Sequence, residues 1–135
     1  ILADTSAWVE YDRATGSQVD IRLTEMIGSN VPLAVTQPVI MEVLAGARTV
    51  DRETDLRRLL LRFHLLRFDA DVDFDGAASI YRQCRQVGVT PRGLIDCMIV
   101  AVACREDATL LAADIDLSRV AAVAGIELDD ASIKA

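Results

Sequence analysis

Short apolar runs alternate with amphipathic stretches along the whole chain. Ile1–Ala3 is an apolar tripeptide closed by Asp4, which predicts a buried strand with a polar residue at its carboxyl end. Ser6–Tyr11 turns helical, and Asp12–Ser17 breaks it. From Ser17 to Ile27, Val19, Leu23, Met26 and Ile27 recur at helical spacing until Gly28-Ser29-Asn30 stops them. Pro32–Thr36 predicts a second strand. Thr36 is placed to cap a helix that carries Pro38 in its first turn and runs to about Ala47. Asp51 is placed to cap an amphipathic helix to about His64, followed by a third strand at Leu65–Phe68. Asp73 or Asp75 opens a helix that ends before Gly88. Gly93–Arg105 is so apolar that its helix must be buried on most sides. Thr109–Ala113 predicts a strand, Leu117–Ala124 a helix and Ile126–Leu128 a short last strand.

Strands that alternate with helices specify an α/β fold, with a mainly parallel central sheet covered by helices on both faces. The 135 residues suit one domain spanning 1–135, with no repeat or linker. No apolar run reaches the roughly 18 residues that a membrane span needs, and the start of the chain lacks a signal-peptide pattern. Cys84, Cys97 and Cys104 form no CxxC and sit in apolar helical patterns, so reduced, buried thiols in a cytoplasmic protein without membrane attachment are expected. One histidine and unpaired cysteines supply no zinc ligand set.

In a parallel α/β sheet the binding site lies beyond the carboxyl ends of the strands. Asp4 follows the first strand, and Asp114 and Asp116 follow Thr109–Ala113. Two further acids interrupt apolar helices: Glu42 within Val39–Ala45 and Asp96 within Leu94–Val100. Burying a carboxylate is costly unless it is paired, protonated or bound to metal, and the only lysine is Lys134. Acids that converge without bases suit an oxygen cage for Mg²⁺ or Mn²⁺, which can bind phosphate and activate water for in-line attack on a phosphodiester. Each acid also has an ordinary reading. Asp4 and Asp116 are placed to cap helices, and Asp114 could be a turn residue. Capping does not explain Glu42 or Asp96.

The net charge of −7 argues against nucleic-acid binding only if it is evenly spread. Residues 48–67 hold six arginines, among them Arg48, Arg57, Arg58 and Arg62, against three acids. That stretch is +3 and leaves −10 for the rest. It could follow an RNA backbone, or be a solvated face with ion pairs from Asp51 or Asp55 to Arg57 or Arg58. Arg92, just before the Asp96 helix, is a further phosphate contact or an ordinary loop residue.

Asp4-Thr5-Ser6 after an opening strand, Glu42 in PVIMEVLAGAR, Asp96 in GLIDCMIVAVA and the acids of LLAADIDL resemble, in order and spacing, a PIN domain. Size and order are similar to the VapC toxins of bacterial toxin–antitoxin pairs. The resemblance implies a Mg²⁺- or Mn²⁺-dependent endoribonuclease with Asp4, Glu42, Asp96, Asp114 and Asp116 as metal ligands. Ser6 matches the small polar residue beside the first acid. It also implies structured RNA such as tRNA as substrate, a cognate VapB-type antitoxin, a homodimer and a toxin–antitoxin hetero-oligomer. Ala112 and Leu117 stand where the family often has a threonine and an aromatic residue.

Competing readings are weaker. Asp69–Asp75 has the spaced aspartates of a calcium loop, but Phe74 and Ile80 stand where an EF-hand needs glycine and glutamate. Phosphotransfer domains that also place an aspartate after the first strand need a late catalytic lysine, and Lys134 lies in the tail. A lone His64 supports no two-histidine mechanism. Trp8 is expected in the core. A non-catalytic RNA- or protein-binding module with the same fold is the alternative that divalent-metal binding separates.

Overall fold

A computed structural model describes residues 1–134. The elements run β1 (Leu2–Ala3), α1 (Thr5–Asp12), α2 (Gln18–Ile27), β2 (Ala34–Val35), α3 (Gln37–Ala45), α4 (Val50–Leu60), β3 (His64–Leu65), α5 (Asp73–Gln86), α6 (Leu94–Arg105), β4 (Leu110–Leu111) and α7 (Ile115–Ala124). The four strands form one all-parallel sheet in the order β3-β2-β1-β4. Leu2 is in register with Ala34 and Leu110, and Ala34 with His64. Leu2, Ala3, Leu110 and Leu111 are fully buried, as expected of a sheet covered on both faces.

The crossovers β1 to β2 and β2 to β3 step one way along the sheet, and β3 to β4 steps back. Because such crossovers are right-handed, their helices lie on opposite faces. Accordingly α1 packs on α2 and α3, and α3 on α4, while α5, α6 and α7 pack on one another. The chain therefore leaves β1 and the neighbouring β4 toward opposite faces. That divergence opens a crevice beyond their carboxyl ends.

The apolar spacing places the elements well and their ends less well. Thr49, not Asp51, caps α4, its hydroxyl accepting from the Arg52 amide at 3.1 Å. Asp51 and Glu53 instead lie in the first turn, where the helix dipole favours acids. The helix stops at Leu60 because His64 is taken into the sheet, its amide donating to the Leu33 carbonyl at 3.3 Å. Beyond Leu66 the third strand leaves the sheet, and the Phe68 amide donates to Gln37 Oε1. Thr36 occupies the cap position of α3 without a capping bond; Pro38 in the first turn already removes one donor. Ile126–Leu128 gives a single parallel bridge, Leu110 to Leu128. Gly125, with φ of 76°, makes the left-handed turn that returns the chain to this edge. Arg22 then fastens the segment to α2 through Asp129 at 3.2 Å.

Cys84 and Cys97 are buried free thiols, but Cys104 is exposed, because the last turn of α6 emerges from the core. Trp8 is buried and stacks at 5.6 Å on Phe63. Of the Asp69–Asp75 acids, Asp69 and Asp73 serve the backbone, Asp69 Oδ1 accepting from the Asp71 amide. Asp73 Oδ2 accepts from the Asp69 amide, and its carboxylate is gripped by Arg105 at 2.9–3.0 Å. The Arg105 guanidinium holds the Asp73 carboxyl below the usual range despite its burial.

Candidate active site

The site begins where β1 ends. Asp4 caps α1, its Oδ2 accepting from the Ser6 amide at 3.0 Å and the Ser6 hydroxyl at 2.7 Å. Capping and a site role thus fall on different oxygens, because Oδ1 is buried and has no hydrogen-bond partner. A buried carboxylate oxygen without a donor is costly and calls for a cation or a proton. The Ser6 hydroxyl also accepts from the Ala113 amide at 2.9 Å, tying the ends of β1 and β4 together.

Asp114 stands at that second strand end. It caps α7, Oδ1 accepting from the Asp116 amide at 2.9 Å. The helix starts at Ile115, so Asp116 lies in its first turn and is not the cap. Asp96 is also a first-turn residue, the third of α6, with Gly93 as cap; it is not the mid-helix acid that its apolar neighbours suggest. Its carboxylate therefore sits near the positive end of that helix. Glu42 does lie inside α3, half-buried, and its Oε1 accepts from the Thr5 hydroxyl at 2.7 Å. Spacing gives Thr5 no signal beyond its place between Asp4 and Ser6.

The electrostatics show that four of these acids sense one another. Burial raises the Asp4 carboxyl to about 6 against the opposing bonds from Ser6, with repulsion from Glu42 adding to it. Burial also raises Asp96 to about 7, helped by Asp4, Asp114 and Glu42 and opposed by Arg92. Such shifts in a crevice are characteristic of functional sites.

The acids are not free of bases, as the shortage of lysine suggested. Arg92 donates to Asp114 Oδ2, and its Nε lies 3.0 Å from Asp116 Oδ2. Arg119 approaches Asp116 at 3.5 Å. Among the described residues no three His, Cys, Asp or Glu side chains are drawn together as a ready metal ligand set.

The other predicted RNA contacts lie on α4 and its flanking turns. Arg57, Arg58 and Arg62 are exposed on α4 and just beyond it, and Arg57 pairs with Glu53 at 2.6 Å, not with Asp51 or Asp55. Arg48 lines a groove of ≈ 490 Å³ with Trp8, Val43, Arg52 and Leu56, and the groove reaches Glu42. Arg52, on its rim, pairs with Asp12.

A parallel α/β sheet with acids at the ends of two neighbouring strands, β1 and β4, defines the class, and comparison with known proteins assigns it. The family model described as PIN domain matches residues 1–123, and the chain belongs to the PIN-domain family. It is 38% identical over 128 residues to Ribonuclease VapC11 of Mycobacterium tuberculosis, covering 94% of this chain and 96% of that protein. Within the family it is a ribonuclease of the VapC type. Among solved structures, VapBC2 from Rickettsia felis bound to a promoter DNA fragment superimposes with a TM-score of 0.73 at 17% identity over 95% of this chain and 96% of that one. DNA-bound VapBC from Salmonella typhimurium gives 0.72 at 17% identity over 96% of each chain. At that identity they speak for the fold alone. No helix among the described residues is long and apolar enough to cross a membrane.

Proposed function

We propose that this chain is the toxin of a toxin–antitoxin pair and cleaves structured RNA such as tRNA internally, using Mg²⁺ or Mn²⁺ held by Asp4, Asp96 and Asp114, with Glu42 and Asp116 at the edge of the site. The observation that carries this reading is Asp4 Oδ1, buried and without a partner, beside acids whose charges already act on one another. An all-oxygen donor set suits a hard divalent ion. When bound, such an ion supplies positive charge for the scissile phosphate and makes water more acidic. The chain's own residues prepare that chemistry. Ser6 fixes Asp4 by one oxygen and leaves the other open. Thr5 orients Glu42. Asp4 and Asp96 give up the protons that burial favours on them, and they act as anions. The family resemblance implies products with a 5′-phosphate and a 3′-hydroxyl.

The exposed arginines of α4 and its C-terminal turn give the RNA backbone a basic face outside the acidic crevice. A VapB-type antitoxin as inhibitor is supported by the solved complexes that share this fold. The groove that reaches Glu42 offers it a path to the site. A homodimer within that assembly follows from the family resemblance. The free thiols fit action in the cytoplasm.

The test is to incubate the pure protein with total cellular RNA, with and without Mg²⁺, and map the new 5′ ends. Discrete metal-dependent ends in structured RNA are expected. RNA binding without cleavage under both conditions would favour a non-catalytic module.

A further inference from the structure

We propose that Arg92 is a tethered cation that occupies the carboxylate site of the metal-free protein, so that a divalent ion binds by taking Asp114 from it. The inference rests on the metal reading above and adds a competitor supplied by the chain itself. The geometry comes first. Arg92 lies in the loop before α6, four residues ahead of Asp96. One edge of its guanidinium spans two acids, donating to Asp114 Oδ2 and reaching Asp116 Oδ2 at 3.0 Å. A planar fork suits two carboxylates in a way that a lysine would not.

Exposure then decides what the contact can do. The Arg92 side chain is 64% exposed, whereas that of Asp114 is 18% exposed. The arm thus lies over the mouth of the crevice and can swing away without opening the core. Its charge also acts on Asp96, where it opposes the repulsion from Asp4, Asp114 and Glu42. One monovalent group therefore offsets the repulsion that a divalent ion would offset more fully. Asp116 keeps a second partner in Arg119, so only Asp114 loses its counter-charge when Arg92 leaves.

The consequences follow from linkage. Arg92 and the ion both need Asp114, and two cations on one carboxylate repel each other. Metal affinity is reduced by the factor that the arginine contact contributes. For an exposed pair that factor is about fivefold. Once Asp114 is taken, the guanidinium keeps only Asp116, and the nitrogen that had bound Asp114 stands free beside the occupied site. Its nearest new partner is a phosphate of the RNA that enters there. Binding of the ion thus switches Arg92 from shielding the acids to receiving the substrate.

The experiment is calorimetric titration of Mn²⁺ into the wild-type protein, Arg92→Gln and Asp96→Asn, with thermal melts of each with and without the ion. Arg92→Gln is expected to bind Mn²⁺ about fivefold more tightly than wild type. It is expected to melt lower than wild type without metal and to lose that deficit at saturation. Asp96→Asn identifies the site by losing the binding. Equal or weaker Mn²⁺ affinity in Arg92→Gln, with wild-type binding lost in Asp96→Asn, would overturn the role of Arg92 and leave the metal reading standing. Absence of Mn²⁺ binding in both wild type and Arg92→Gln would overturn the two together.

Discussion

The Ser6 hydroxyl joins two strand ends: it donates to Asp4 Oδ2 at 2.7 Å and accepts from the Ala113 amide at 2.9 Å. Ser6 is thereby a positioning residue for Asp4. Ser6→Ala should fold normally and lower RNA cleavage about 10–100-fold, the usual effect of removing a hydrogen bond that orients a metal ligand. Ser6→Thr, which keeps the hydroxyl, should restore most of the rate. Cleavage rates of the two variants at saturating Mg²⁺ check this, and equal activity of Ser6→Ala and wild type would count against it.

Asp96 carries the largest burden of like charge in the crevice. Asp96→Asn should abolish metal-dependent cleavage while raising the melting temperature of the metal-free protein, since it removes a repelled, half-buried anion. Asp4→Asn should also abolish cleavage. A folded Asp96→Asn protein with wild-type cleavage would refute the assignment.

The pH dependence has a definite sign. Burial raises Asp4 to about 6 and Asp96 to about 7, so the folded chain holds protons that the unfolded chain releases near the ordinary carboxylate value. These two groups therefore make the metal-free protein lose stability as pH rises from about 4 to about 7. The same protons compete with the ion, so metal affinity should fall as pH drops below about 7. Melting temperatures of wild type and Asp96→Asn from pH 5 to 8, without metal, test the first statement: the decline should be shallower in the variant.

Arg57, Arg58 and Arg62 stand exposed on one segment of an acidic protein. Changing all three to Gln should weaken RNA binding and flatten its dependence on log salt by about one unit per lost phosphate contact. Metal binding should be unchanged, because no ligand is altered. Affinities measured against salt on a non-cleaving Asp96→Asn background decide it. Coincident lines for the two proteins would assign these arginines to a solvated face.

Asp73 is buried and pairs with Arg105, which also donates to the Arg67 carbonyl at 2.6 Å. Asp73→Ala should destabilise the protein by roughly 2–3 kcal/mol, leaving a guanidinium and the Asp69 amide without their acceptor. Metal affinity should not change, since the pair belongs to the fold and not to the site. Chemical denaturation and Mn²⁺ titration of the variant separate the two effects.

Periodicity in the sequence determined the order and type of the elements, because a two-faced sheet demands continuous apolar runs such as Leu110–Leu111 and amphipathic helices demand spacing such as Val19, Leu23 and Met26. It also determined the acids, since Asp4 and Asp114 follow strands and the sheet's topology sends both to one crevice. The ends of the elements were decided in three dimensions. Thr49 outcompetes Asp51 as a cap because its hydroxyl reaches the Arg52 amide, and α4 stops where the sheet claims His64. So were the connections within the site. The bond from Thr5 to Glu42 and the reach of Arg92 to Asp114 cross 37 and 22 residues of chain. Local pattern carries no information about such distant pairs, because it is the packing of separate elements around one sheet end that brings them within bonding distance.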